Sequence, residues 1–380
     1  MSGIEILFWT AMGPVLYTLF GYPLLSLALA AIVRRKVDKQ PITPRVTYII
    51  AAYNEEDSIA EKLRQTLDLD YPADRLEIIV ASDGSTDSTD EIVKSFGDRG
   101  VKLYRAEGRL GKTATLNGAV AAATGDIVIF SDATGIYSPQ AIRELAANFN
   151  DPTVGCVTGR VSYRYGRDAT SEGFRFYQKI AVAIREAESR FGSQTSVSGS
   201  IHAIRRELYR PAHPAFSLDV IDAVHAVAGG CRVVYEGQAV SIEESRTRLG
   251  DEFRCRVRIS VRTTSMIPYI LSQLIRHGRF GYLFQMVSHK FLRWYLWLTL
   301  VVALTTSIVL AWRSPFYAVL AVLQIAGYAA GLIGLLAARW KVRLPFVSFI
   351  TFFLMGNAAA CVGALKCLRG QRMPRWEPVR

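Results

Sequence analysis

The sequence predicts an α/β domain flanked by membrane-spanning helices, on three observations. Short apolar runs rich in β-branched residues alternate with helical patterns between residues 46 and 148. Long charge-free runs lie towards both ends. The composition is 50% hydrophobic and only 21% charged, yet the net charge is +12. An apolar but basic chain of this kind excludes disordered and fibrous classes, and reads as a membrane protein with no nucleic-acid partner. Cys156, Cys231, Cys255, Cys361 and Cys367 show no CxxC spacing, so neither a disulfide framework nor a zinc knuckle is expected.

The first charge-free run, Ile6–Val33, is longer than the roughly 20 residues a helix needs to cross the hydrocarbon. Its acidic start at Glu5 and its length set it apart from a cleaved signal peptide. Arg34, Arg35 and Lys36 follow, and the positive-inside rule then places the next segment in the cytoplasm. The runs Trp294–Trp312, Pro315–Ala338 and Leu344–Leu365 also have the length of spans. A three-span count sends the tail outside, whereas Lys366, Arg369, Arg372, Arg375 and Arg380 call for it inside. A break at Gly356 and Asn357 would permit a re-entrant path. Met266–Val287 mixes apolar clusters with Arg276, His277 and Arg279, a pattern that suits helices lying in the interface. The expected organisation is an anchor over 1–36, a cytoplasmic domain over 37–265, interfacial helices over 266–289, and a membrane region with a basic tail over 290–380.

Within the central block, strands are expected at Val46–Ala52, Glu77–Ala81, Val101–Tyr104 and Ile127–Phe130. Helices are expected at Ser58–Leu67, Thr89–Phe96 and Lys112–Ala123, and from an N-cap at Ser138 to about Asn148. A later strand is read at Thr195–Ile204. Such βα alternation argues a parallel, doubly wound sheet, whose ligands bind beyond the carboxyl ends of the strands. Those ends carry Tyr53-Asn54-Glu55-Glu56, Ser82-Asp83-Gly84-Ser85 and Ser131-Asp132-Ala133-Thr134. Each carboxylate alone reads as a turn or cap residue, but three converging at one sheet edge indicate a site. No GxGxxG follows the first strand, and Ala106 stands where a Walker motif ending at Gly111-Lys112-Thr113 needs glycine. The five histidines lack HExxH spacing, so a zinc enzyme is not expected.

Together with Gly108-Arg109-Leu110-Gly111-Lys112, Ser198-Gly199-Ser200-Ile201 and Arg254-Cys255-Arg256-Val257-Arg258, these motifs occur in an order that resembles the membrane-bound family-2 glycosyltransferases. That group contains cellulose, hyaluronan, chitin and poly-N-acetylglucosamine synthases. The resemblance covers nearly the whole chain. It implies a GT-A, Rossmann-like domain and transfer of a sugar from a UDP-sugar donor to a growing β-linked polysaccharide at the inner membrane. It implies that Tyr53, Glu55 and Asp83 hold the uridine, and that Lys112 and Arg256 sit beside the donor. Asp132 matches the first carboxylate of the DxD motif, which holds Mg²⁺ or Mn²⁺ on the diphosphate. The second carboxylate is replaced by the hydroxyl of Thr134, which should weaken the metal site.

The resemblance also implies a catalytic base in Phe216–Asp222. Asp219 matches the family's aspartate, and Asp222 shares its helix face three residues on. A plain helix cap is the alternative for Asp219. The family's QxxRW motif aligns with Cys255–Ile259 and keeps only Arg258, which faces the departing diphosphate. Arg254, Arg256, Arg258 and Arg262 alternatively form a stripe that meets anionic lipid. The terminal Trp376-Glu377-Pro378-Val379-Arg380 resembles the cytoplasmic tail of relatives. The altered QxxRW motif leaves open single transfer to a lipid acceptor, and the missing second DxD carboxylate leaves open an idle nucleotide-sugar-binding subunit working with polysaccharide-export partners.

Overall fold

The computed structural model describes residues 2–164, 171–244, 249–340, 342 and 344–373. The chain enters as an apolar helix, α1 (Gly3–Leu16), and passes through a π-helical turn at Tyr17–Gly21 into α2 (Tyr22–Ile32). Pro14 and Pro23 each lack a backbone donor, and the π turn falls between them.

The central block then alternates: β1 (Val46–Ala52), α3 (Ile59–Leu67), β2 (Leu76–Ser82), α4 (Thr89–Lys94), β3 (Val101–Arg105), α5 (Lys112–Ala121) and β4 (Ile127–Asp132). β5 (Ile136–Tyr137), α6 (Ala141–Ala147), β6 (Val154–Arg164), α7 (Ser171–Phe191), β7 (His202–Arg205), α8 (Leu218–Ala228) and β8 (Arg232–Glu244) complete it. One sheet results, in the order β3-β2-β1-β4-β7-β6-β8-β5. The first four strands are parallel; β7 runs antiparallel to both β4 and β6, and β5 runs antiparallel to β8. The sheet is therefore mixed rather than wholly parallel.

β1 lies between β2 and β4, so successive crossovers leave it in opposite directions. That switch point opens a crevice at the strands' carboxyl ends. The alternation of side chains along β1 sorts the core into two layers. Tyr48 and Ile50 pack with α3, α4 and α6 on one face. Ile49 and Ala51 pack with α5 and α8 on the other.

Three expectations need correction. Ser138 does not cap a helix: its hydroxyl accepts from Val240 N, and α6 begins only at Ala141 after Gln140. Residues 195–204 are not one strand, because a bridge between Ser198 and Ile201 closes a turn and β7 starts at His202. Beyond β8, α9 (Leu249–Arg276) runs unbroken, followed by α10 (Phe280–Met286), a second π turn at Val287–Phe291, and α11 (Leu292–Trp294). α12 (Leu296–Leu310), α13 (Pro315–Arg339) and α14 (Pro345–Leu368) follow. α14 passes Gly356 and Asn357 without a break, the third correction; the Asn357 side chain donates to the Phe353 carbonyl at 2.9 Å.

Among the described residues, Gly3–Ile32, Pro315–Ala338 and Val347–Leu368 are long and apolar enough to cross a membrane. Phe280–Trp294 and Leu296–Leu310 form a fourth candidate, bent by 61° at Tyr295. Met266, Ile270, Tyr282 and Met286 are buried against the α5/α8 layer, while Ile275, Phe280 and Phe284 stay exposed on α9 and α10. These elements thus show one apolar face to the domain and another to the outside. α9 also lies along α14. Ser260 donates to the Ala360 carbonyl at 3.0 Å, and a Cβ on Gly363 would stand 2.4 Å from that of Ser260. The tail motif at 376–380 lies outside the described residues.

Candidate active site

The loops after β1 and β2 are tied together at the switch point. Asn54 adopts positive φ (51°), and its side-chain carbonyl accepts from Thr86 N at 2.8 Å. Glu55 N donates to the Thr89 hydroxyl at 2.8 Å, and Glu56 accepts from Ser88 N at 3.0 Å. Gly84, at φ 67°, lets the Gly108 carbonyl approach to 2.6 Å from where a Cβ would be, so no other residue fits without displacing that loop.

Beside this frame stands the Tyr53 ring, with the Arg109 guanidinium 4.0 Å from its centroid. Glu55 is buried and accepts from the Ser58 hydroxyl at 2.9 Å. Asp83 is also buried. Its Oδ1 accepts from Leu110 N, Gly111 N and the Thr115 hydroxyl, each at 2.8 Å, and its Oδ2 accepts from Gly111 N at 3.0 Å. The carboxylate therefore fastens the 108–111 loop and the start of α5, where Lys112 begins the helix. Lys112 Nζ donates to Asp132 Oδ1 at the end of β4. Thr134 is exposed two residues further on.

A second group of residues lies on α8 and α9. Ser217, not Asp219, occupies the N-cap position of α8. Asp219 lies in the first turn and is half-buried, its backbone carbonyl accepting from Val197 N at 2.7 Å. Its carboxylate Oδ1 is buried with no hydrogen-bond partner among the described residues. Asp222 is wholly buried, one turn on, and its Oδ2 meets His202 Nε2 at 3.1 Å. His202 Nδ1 in turn meets the Ser198 carbonyl at 2.8 Å. Arg262 donates to the Thr113 hydroxyl at 2.7 Å and to the Phe216 carbonyl, which pins α9 to the starts of α5 and α8. Burial pushes its guanidinium down to about 10 against the pull of the Asp219 charge, so it stays protonated at neutral pH. Arg258 lies one turn before it and acts electrostatically on it.

Tyr53, Glu55, Asp83, Lys112, Asp132 and Thr134 thus gather at the carboxyl edge of β1, β2 and β4. Asp219 and Arg258 stand beside Arg262 on α8 and α9. Arg256 is not among them: it pairs with Glu252 at 2.8 Å and stacks over Phe352 of α14 at 4.2 Å. Sequence reasoning did not single out Arg109, Lys62 or the His202–Asp222 pair, and had Arg262 only as part of a stripe. The i, i+4 spacing of Arg258 and Arg262 was the available signal for a shared face.

Residues 47–211 match the family model described as Glycosyl transferase family 2. The chain thus carries a domain of that family over those residues. A poly-beta-1,6-N-acetyl-D-glucosamine synthase of Staphylococcus aureus is 30% identical over 40% of this chain and 38% of its own. The beta-monoglucosyldiacylglycerol synthase of Synechocystis is 30% identical over 43% of this chain and 33% of its own. The chain thus spans only 33–38% of the length of these two relatives. A solved mannosyltransferase, PcManGT from Pyrobaculum calidifontis in complex with GDP-Man and Mn²⁺, aligns with a TM-score of 0.71 at 24% identity, covering 96% of this chain and 100% of that one. At that identity the likeness speaks for the fold, which is GT-A-like.

Proposed function

We propose that the protein is an inverting transferase that moves a sugar from a UDP-sugar onto a growing β-linked polysaccharide at the inner membrane, with its catalytic domain in the cytoplasm. The observation that carries this reading is the convergence of Asp83, Lys112 and Asp132 at the sheet's switch point, with Asp219 and Arg258 on the helices beside it. Tyr53 offers the uracil a ring to stack on, and Glu55 and Asp83 lie beside it in the loops after β1 and β2. Among the described residues, Asp83 Oδ2 accepts from Gly111 N, and its second lone pair suits the uracil N3–H.

Asp132 accepts from the Lys112 ammonium. The Asp132 carboxylate and the Thr134 hydroxyl are oxygen donors of the kind that suits Mg²⁺ or Mn²⁺, which would take the place of the ammonium. Among the described residues no three acidic, His or Cys side chains form a cage. Asp132, aided by Thr134, would therefore hold the ion with the diphosphate and water as its other ligands. A bound ion would neutralise charge on the diphosphate as the sugar leaves.

The chain's own residues supply the remaining chemistry. Asp219 takes the proton of the acceptor hydroxyl as its oxygen bonds to the anomeric carbon. The bond from that carbon to the β-phosphate oxygen breaks, and Lys112 and Arg258 meet the charge that develops there. The full burial of Asp222 favours Asp219 as the base. Transfer of one sugar to a lipid is the second reading, favoured by Ile259, which replaces the family's tryptophan and is exposed on α9. Product length separates the two.

The test is UDP binding to purified protein with and without Mn²⁺. Asp132→Ala should lose only the metal-dependent part of the affinity. Equal affinity in variant and wild type, with metal present, would overturn the assignment.

A further inference from the structure

Lys62 sits on α3 with 2% of its surface exposed, although lysine is almost never fully buried unless paired. Its neighbours on that face, Ile59, Leu63 and Thr66, are ordinary core residues. Packing alone would favour an apolar side chain at this position. Burial pushes the Lys62 ammonium down to about 7, while the charges of Asp132 and Glu243 oppose the shift.

The amine has three acceptors. Nζ donates to the Tyr48 hydroxyl at 2.9 Å, to the Ser131 hydroxyl at 2.8 Å, and to the Gly135 carbonyl. Ser131 immediately precedes Asp132, and Gly135 immediately follows Thr134. One buried donor thus grips both ends of the four-bond turn that carries Asp132 and Thr134. The rings of Tyr137 and Tyr48 flank it, 4.8 and 5.4 Å from the nitrogen. Glu243 reaches in from β8, its Oε1 3.7 Å from where a Gly135 Cβ would be. A core methionine would fill the same space and grip neither end of the turn.

We propose that Lys62 is a positioning residue, whose amine holds the Ser131–Gly135 turn in the shape that presents Asp132 to the cation of the donor diphosphate. The proposal rests on the reading of Asp132 as the metal-holding carboxylate. Groups that orient a metal ligand from behind typically contribute 10–100-fold in metal affinity. The effect belongs to the metal-dependent part of nucleotide binding, because Lys62 lies beneath the turn rather than in the crevice.

The experiment titrates UDP into the full-length protein in nanodiscs, first in EDTA and then at rising Mn²⁺. Lys62→Met keeps the stem and removes the donors. It should leave UDP affinity in EDTA within about twofold of wild type and raise the half-effective Mn²⁺ concentration by about tenfold or more. Tyr48→Phe and Ser131→Ala each delete one acceptor and should each raise it by about threefold, the scale of one neutral hydrogen bond. Should Lys62→Met fail to fold, these two variants decide the question. A folded Lys62→Met with wild-type Mn²⁺ dependence, or Tyr48→Phe and Ser131→Ala with no change, overturns the proposal. Equal losses with and without metal would make Lys62 a general prop and overturn it as well. A wild type that binds UDP identically in EDTA and Mn²⁺ removes the metal reading itself.

Discussion

Asp219 and Asp222 lie one helical turn apart, and the structure separates what each should do. Asp222 is 0% exposed and hydrogen-bonded to His202, itself 1% exposed, so solvent screens the contact very little. Asp222→Asn replaces a carboxylate acceptor with a neutral amide in that dry setting. Hydrogen bonds to charged groups contribute about 1.5–3 kcal/mol, and this one belongs towards the upper end. The unfolding midpoint should therefore fall, while turnover by the folded fraction changes little. Asp219→Asn keeps size and leaves the Val197 N to Asp219 carbonyl bond in place. Its stability should hold, but it cannot take a proton. Transfer should drop by about 10² or more, which corresponds to about 2.7 kcal/mol of barrier. Both variants are assayed by UDP release in nanodiscs alongside thermal unfolding. A stable but inactive Asp222→Asn, paired with a near-wild-type Asp219→Asn, would move the base to Asp222. Two active variants would remove the base from this helix.

Asp83→Asn sets an amide N–H₂ against the Gly111 N–H or forces the ring of donors to turn, so the 108–111 loop should loosen and UDP affinity should fall about tenfold; calorimetry with UDP checks it, and unchanged affinity would make the loop anchor irrelevant to the nucleotide. Burial alone would raise the Glu77 carboxyl, but hydrogen bonds from Lys102, Thr47 and Thr124 outweigh it and hold it down to about 2. A depressed carboxylate stabilises the fold above its unfolded pKa and loses that contribution as pH falls towards the folded value. Wild type should therefore lose stability between about pH 4.5 and 2, and Glu77→Gln should start lower and decline less steeply; parallel pH curves would contradict this. Residues 352–363 of α14 lie beside Glu252, Arg256 and Ser260 of α9, whose neighbour Arg254 has 77% of its side chain exposed. Drawing those charges to mid-bilayer costs about 2.5–3.5 kcal/mol each, so α14 should not carry the chain across. A Gln371→Cys probe in a chain without other cysteines should react with impermeant maleimide on the side of the catalytic domain, and labelling only on the far side would refute it.

Legibility in the sequence followed the periodicity. β1 lies at Val46–Ala52 as its apolar run indicates, because a strand buried on both faces needs no polar alternation. The strand-end motifs were readable because turn chemistry is local. β6 and β8 were not anticipated: Val154–Arg164 and Arg232–Glu244 shift from buried to partly exposed along their length, and no single period covers them. Ser138 carries the residue type of a cap, but β5 and its pairing with β8 hold the chain extended at that point. The charges of α9 suggested a lipid-facing stripe, yet Arg262 and Arg256 meet different elements, one joined to Phe216 and one to α14. Lys62 was invisible for the same reason: its role depends on Tyr48, Ser131 and Gly135, which only tertiary structure brings together.

The central claim is transfer from a uridine-diphosphate sugar, and turnover tests it most directly. Purified full-length protein in nanodiscs, with Mg²⁺ or Mn²⁺, is offered a panel of UDP-sugars and GDP-mannose, and nucleotide release and product size are followed together. The account predicts release from at least one UDP-sugar, none from GDP-mannose, abolition by EDTA, and a product that lengthens with time. Release from GDP-mannose alone, or turnover undiminished by EDTA, would contradict it.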